Sequence, residues 1–472
     1  MAQITIQQNP QQLNMANSDL VWVVTSPSSS RPQYQFVCAL QDGCGTTLTT
    51  IKQSANPSGK GVFNLGRIVK QYLDYDRHAF NIGGTGSLFN KNSETAKFFK
   101  VAFGEEWGTS TSSSITSYTG INNNTGSAAN TGSVPYYYFI NGIVDPNDGS
   151  FNWNTGSKFV MKPTPSTQSW SEQVSLTDAP RTQYVTYDDY LSISFLNGNL
   201  TQNTGSAQDI TWVEYKFYSG STAYGSASFS NTDLGVNRVL TSGGPRLTST
   251  ARFSGSAAIQ PCTNNSGSQA SGSLLLHLGI GPKNLRDNSN VPQITGSWDY
   301  YTVKLYNQNS SSLGTFNSNG VWDSFTVYRE QNCVYDGVRF VWINNYGVWD
   351  WYNFTLAEGR NTNISRDNYR QTFVDYSTGT NSVPYNIQRR GTSTFNTEID
   401  EERFVTSDWL SQAEADWIEQ LFYSPEVYIQ SGSNFLPVII TSNSFTSKTN
   451  PRSQKLFNYT ISYKYANQKR SR

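Results

Sequence analysis

The chain has 472 residues, more than one ordinary domain holds, so two to four domains are expected. Its 34 Lys and Arg balance its 34 Asp and Glu, which argues against long-range attraction to nucleic acid or acidic membranes. Charged residues are only 14% and aromatics another 14%; with Thr, Ser, Asn and Gly filling much of the rest, the mixture suits strands and turns better than helices.

No apolar run reaches the roughly 18 residues of a membrane span. The opening MAQITIQQNPQQLN lacks the charged-then-apolar layout of a signal peptide, so synthesis in the cytoplasm is expected. Of the four cysteines only Cys38 and Cys44 are close, at a spacing that fits a hairpin better than a zinc knuckle; free thiols are expected.

In chain order, strands are predicted at 19–25, 33–40 and 46–52, a helix at 65–75 from the spacing of Ile68, Val69 and Leu73, and a strand at 96–107. Residues 1–107 thus read as an N-terminal β domain. Residues 108–133 (GTSTSSSITSYTGINNNTGSAANTGS) have almost nothing to bury and read as a low-complexity surface loop, with Ile115, Tyr118 and Ile121 as its few anchors onto a neighbouring subunit or partner. Strands at 134–144, 158–162, 184–196 and 210–218 make a second β region, 134–240. A third, 241–356, takes in 273–278, 300–306 and 323–329. Short strands between polar turns point to a mainly β protein of several β-sandwich-like domains.

The third region ends in the aromatic hairpin 337–356, GVRFVWINNYGVWDWYNFTL. Val338, Phe340 and Trp342 share one face of its first strand and Val341 and Ile343 the other. On the return strand Trp349 and Trp351 face one way, Tyr352, Phe354 and Leu356 the other. Asn344, Asn345, Tyr346 and Gly347 supply the turn. Trp342, Tyr346, Trp349, Trp351 and Tyr352 are therefore either core or a partner-facing surface, since Trp and Tyr dominate interfaces.

Residues 357–472 read as an α+β domain. Ser411 to Glu414 reads as a capping box for a helix near 409–423, although Ser407 could start it earlier, with Leu410, Ala413, Trp417 and Leu421 on one face and Pro425 beyond its end. Strands at 426–430 and 434–441 follow, with Pro437 suggesting an edge strand or its start. Phe457, Tyr459, Ile461, Tyr463 and Tyr465 then alternate with polar residues, the clearest strand pattern in the chain.

Signs of chemistry are thin. The two histidines, His78 and His277, are far apart, and His277 in its apolar run reads as a core histidine. No HExxH, paired CxxC, GxSxG, Walker A or Rossmann glycine pattern occurs. Glycosidases need two carboxylates across a cleft, whereas Glu105–Glu106, Asp188–Asp189 and Glu401–Glu402 are adjacent and read as solvated or helix-capping charges. No catalytic, cofactor-binding or metal-binding residue is assigned, and no enzymatic activity is expected.

The run FVWINNYGVWDWYNF resembles a hairpin, FxWLNxxGxxDxYxF, of structural proteins of tailed phages, especially crAss-like and other phages of Bacteroidetes. The segments WLSQAEADWIEQLFYSPEVYI, LPVIITSNSFTSKTN and LFNYTISYKYAN resemble the ends of those proteins, and DLVWVVTS and YQFVCAL their beginnings. The resemblance covers about a third of the chain and misses 108–273. It implies a virion component of neck, tail or ring type that works by assembly: a cyclic homo-oligomer contacting other virion proteins such as portal, neck or tail components, with no membrane and no specific nucleic acid. A receptor- or glycan-binding tail fibre using exposed aromatics is the alternative, and needs Trp349, Trp351 or Tyr136, Tyr137 and Tyr138 to face solvent. A carbohydrate-active enzyme is a weaker third reading.

Overall fold

The computed structural model describes residues 4–10, 13–43, 46–83, 88–92, 94–108, 117–122, 136–143, 175–196, 210–230, 239–240, 275–288, 290–307, 321–330, 337–370, 391–442 and 458–467. The expected strand 158–162, most of 108–133, Phe457, and Cys44, Cys262 and Cys333 lie outside them. The protein is mainly β, with several sheets and three short α-helices among the described residues. Two compact units emerge: Met1–Gln331 with Ile343–Asp350, and Asn332–Trp342 with Trp351–Arg472.

In the first unit, a three-stranded sheet (Thr5–Gln8, Val21–Thr25, Lys60–Asn64) packs on a larger one built from Leu13–Met15, Gln35–Asp42, Thr47–Ser54, Ala96–Trp107, Ser117–Asn122 and Tyr136–Ile140. Trp22, Val24 and Phe63 from one meet Phe36, Cys38, Phe99, Phe103 and Phe139 from the other in a single core, a β-sandwich. At Gln35–Asp42, Ala96–Trp107 and Tyr136–Ile140 the larger sheet is largely buried on both faces. Phe98 and Tyr138, alternating with Phe99 and Phe139, enter a second core with Leu196, Leu275, Tyr346 and Val348.

Two further sheets complete this unit. One joins Phe89–Lys91, Ser192–Leu196 and Leu275–Gly279, drawing on all three of the β regions expected from sequence. The other orders Thr182–Val185, Val321–Arg329, Tyr300–Asn307, Ile210–Ser219, Thr222–Ser230 and Val239–Leu240.

Local differences from the sequence reading have physical causes. The first helix is only Gly66–Lys70. Beyond it the backbone bonds shorten to three-residue spacing, Tyr72 N to Val69 O and Leu73 N to Lys70 O, so the turn tightens while Val69 and Leu73 stay buried. Within the expected loop, Ser117–Asn122 is a strand paired with Ala96–Trp107; its Tyr, Thr and Ile suit a strand, a signal diluted in the low-complexity run. The helix Pro282–Asp287 was not expected; Pro282 at its first position is the start signal.

The second unit holds a seven-stranded sheet, ordered Trp349–Phe354 (of which it takes Trp351 onward), Val338–Ile343 (as far as Trp342), Val427–Ser431, Asn434–Ile440, Thr460–Tyr465, Thr392–Thr406, Gly359–Arg370. Asn434–Ile440 is thus interior rather than an edge. Pro437 is tolerated because its carbonyl, accepting from Ala466 N at 2.9 Å, shows that its missing N–H points past Val438↔Tyr465, the last rung on that side. The helix Gln412–Phe422 begins at Ser411 with the expected capping box: Ser411 N donates to Glu414 Oε2 at 2.8 Å, and Glu414 N to Ser411 Oγ at 3.4 Å. Its buried face is rotated from the expected one. Ala413 is exposed, while Ala415, Trp417, Ile418 and Leu421 are buried, because Ile418 draws the apolar stripe round the helix.

Candidate interaction surface

The hairpin aromatics are buried within the chain. Trp342, Trp349, Trp351 and Tyr346 are buried and Tyr352 is half-buried. Gly347, at φ +77°, and the Asn344 side chain, accepting from Tyr346 N and Val348 N, make the turn. In the second unit Trp342 and Tyr352 pack on Trp417 with ring centroids 5.3 and 5.9 Å away, and Trp351 packs on Phe435. In the first, Trp349 meets Phe80 and donates from Nε1 to the Asp76 carbonyl at 2.8 Å. Tyr137 and Tyr138 are core residues too; the Tyr136 side chain lies outside the description. Four of the five aromatics on which glycan binding was to rest are therefore closed to a ligand.

The carboxylate pairs are less solvated than expected. Glu105 is buried and accepts from Ser26 Oγ at 2.5 Å and Tyr34 Oη at 2.9 Å, while Glu106, also buried, pairs with Lys52 at 2.9 Å. Burial beside the Glu105 carboxylate pushes the Tyr34 hydroxyl well above its ordinary range. Asp189 is buried, accepting from Thr186 N, while Asp188 pairs with Arg286. Strand alternation explains the split at 105–106: neighbours point to opposite faces, and each found its own partner.

His277 sits in Leu275–Gly279 opposite Ser194. Its Nδ1 is 2.8 Å from Ser194 Oγ, and its Nε2 is 3.7 Å from Asp76 Oδ2, too long for a hydrogen bond. Elsewhere Arg181 pairs with Asp323 at 3.0 Å, and Ser175 donates to the same carboxylate. Burial holds Asp323 above the usual carboxylate range against the pull of Arg181. Among the described residues, no group of three His, Cys, Asp or Glu could hold a metal ion, and no helix is long and apolar enough to cross a membrane.

Two exposed surfaces stand out, and neither was foreseen. The first is a tyrosine row across the six-stranded sheet. Register pairs Tyr184 with Tyr328, Tyr328 with Tyr300, and Tyr300 with Tyr218. Successive ring centroids are 5.7, 5.0 and 4.7 Å apart. Thr182, Thr326 and Thr302 form the next rung across the same strands. Tyr184 is 60% exposed.

The second is a two-stranded ribbon, Gly359–Arg370 paired with Thr392–Thr406. Thr460–Tyr465 supports only Arg403 to Thr406. Beyond that the ribbon has no further strand beside it among the described residues. From Arg360 to Arg370 every residue is exposed, and Phe395 is 69% exposed.

No protein-family model matches the chain, and no curated protein matches it either.

Proposed function

We propose that this is a structural protein of a phage virion, a neck, tail or ring component that works by assembling with itself and with neighbouring virion proteins. The exposed ribbon carries this reading. A two-stranded hairpin open to water on both faces has no core and is at best marginally stable alone. Long unpaired edges are liabilities that proteins normally shorten or cover. A chain that holds such a ribbon out has a use for it in an assembly. The sequence resemblance to tailed-phage structural proteins supports the same reading, as does a near-neutral, low-charge composition ill suited to a free monomer.

The test is electron microscopy and native mass measurement of the purified chain at high protein concentration and virion-like salt. A cyclic homo-oligomer is expected. A monodisperse monomer would count against the reading.

The tyrosine row favours a second reading, a receptor- or glycan-binding tail fibre. Its rings use their faces largely on one another, leaving hydroxyl edges and the outer side of Tyr184 for a ligand. Loss of binding to host-surface polysaccharide in Tyr184→Ala/Tyr328→Ala, with the fold intact, would support it. No binding by the unaltered chain would remove it.

A further inference from the structure

We propose that the ribbon is the contact between successive copies of this chain, the basic face of one ribbon packing on the acidic face of the next. This rests on the assembly reading above and names the surface that would perform it.

The argument is the distribution of charge. Directly paired residues of an antiparallel ribbon share a face. The pairs Arg360↔Arg403, Thr362↔Glu401, Ile364↔Ile399 and Arg366↔Thr397 define one face, which Arg370 joins by alternation. Four arginines against Glu401 and Glu358, both of which pair with Arg403, leave it at +2. The pairs Asn361↔Glu402, Asn363↔Asp400, Ser365↔Glu398 and Asp367↔Asn396 define the other. Its four carboxylates, against Lys464, which pairs with Asp400 at 2.6 Å, give −3. The ribbon is thus a plate with opposite charge on its two sides, which repels its own like side and attracts the other.

Apolar and aromatic groups fit the same pairing. Ile364 and Ile399 lie on the basic face. Tyr369, on the acidic face, has its ring 6.5 Å from Phe395. Arg366 and Arg370 of one copy would then meet aromatic rings of the next, where a guanidinium is favourably placed.

Because the two faces differ, the contact is head-to-tail, the kind that closes into a ring when the rotation between copies allows. Exposed ion pairs are individually weak and screened by salt, so association should fall as ionic strength rises.

The experiment is sedimentation velocity on the full chain and two variants, with thermal melting to check the fold. Arg366→Glu/Arg370→Glu takes the basic face from +2 to −2, so both faces are acidic; Asp367→Lys/Glu398→Lys takes the acidic face from −3 to +1, so both are basic. Each alone should self-associate at least about tenfold more weakly than the unaltered chain. Their equimolar mixture should recover association, which requires both to be folded. If either variant alone assembles like the unaltered chain, or the mixture stays dissociated, the ribbon pairing is wrong while the assembly reading stands. If the unaltered chain is monomeric throughout, it is the assembly reading that fails.

Discussion

Ser194 Oγ and His277 Nδ1 share a 2.8 Å hydrogen bond across directly paired strands, with the Asp76 carboxylate 3.7 Å beyond the other ring nitrogen. The order of groups is that of a nucleophile, a base and an orienting acid. Yet Asp76 and His277 are completely buried and Ser194 nearly so. Water and substrate have no approach, and a buried hydroxyl beside an imidazole then serves to satisfy a polar atom. Ser194→Ala should destabilise the fold by about 1–3 kcal/mol, read from denaturant midpoints, by orphaning the histidine nitrogen. A fluorophosphonate probe should leave native Ser194 unlabelled; stoichiometric labelling there would reopen the enzymatic reading.

Trp342 and Trp417 pack with ring centroids 5.3 Å apart, both buried. Replacing either by Ala should cost about 3–5 kcal/mol. The double variant should cost less than the two together, by about 0.5–1.5 kcal/mol, since the ring pair is lost only once. Trp342→Phe should cost well under Trp342→Ala, because the Trp342 Nε1 hydrogen has no acceptor among the described residues and its removal is no loss. Equal effects of the two substitutions would contradict this.

Gly347 adopts φ +77°, and a Cβ there would lie 2.3 Å from the Asn141 carbonyl oxygen. Left-handed backbone alone costs a side chain about 1–2 kcal/mol, and the backbone contact adds to it. Gly347→Ala should lower the melting temperature by several degrees, whereas Ala at Gly432, with φ +62° and open space around it, should cost only the backbone part.

Burial pushes the Cys38 thiol far above its ordinary range. The folded thiol stays neutral, and the neutral form is a poor nucleophile. Peptide mapping after alkylation at pH 8 should therefore find Cys38 unmodified until the chain is unfolded. The unfolded thiol ionises near pH 8.5. Its contribution is fully present below that value and declines as pH rises above it, because the unfolded chain then releases the proton first. Rapid native labelling of Cys38 would show that the sandwich core opens.

Elements with one wet and one dry face were legible in the sequence. Ile461 and Tyr463 alternate with polar neighbours because only one side of their strand meets the core. The capping box at Ser411 was legible because it is local. The ribbon was not: with both faces in water, 359–370 has no reason to alternate, and Phe395, Ile399 and Phe404 fall at spacings unlike a strand's. The tyrosine row escaped for another reason. Three of its four strands were expected, while the fourth, Thr182–Val185, was expected only as the start of a strand 184–196 that in fact breaks before Ser192–Leu196 of another sheet. Tyr184, Tyr218, Tyr300 and Tyr328 align only through register, which sequence spacing does not carry. Glu105 and Glu106 were misread because a carboxylate's partner, Ser26 or Lys52, is equally a matter of tertiary placement.

The ribbon joins the rest of its sheet through four rungs, Arg403↔Tyr463, Phe404↔Ser462, Val405↔Ile461 and Thr406↔Thr460. Antiparallel hydrogen bonds run perpendicular to the strands. A pull along the ribbon's axis therefore loads those rungs together, in shear, while a pull sideways would unzip them one at a time. The same joint is strong in one direction and weak in the other, so a filament or ring strung through such arms would resist stretching far better than peeling.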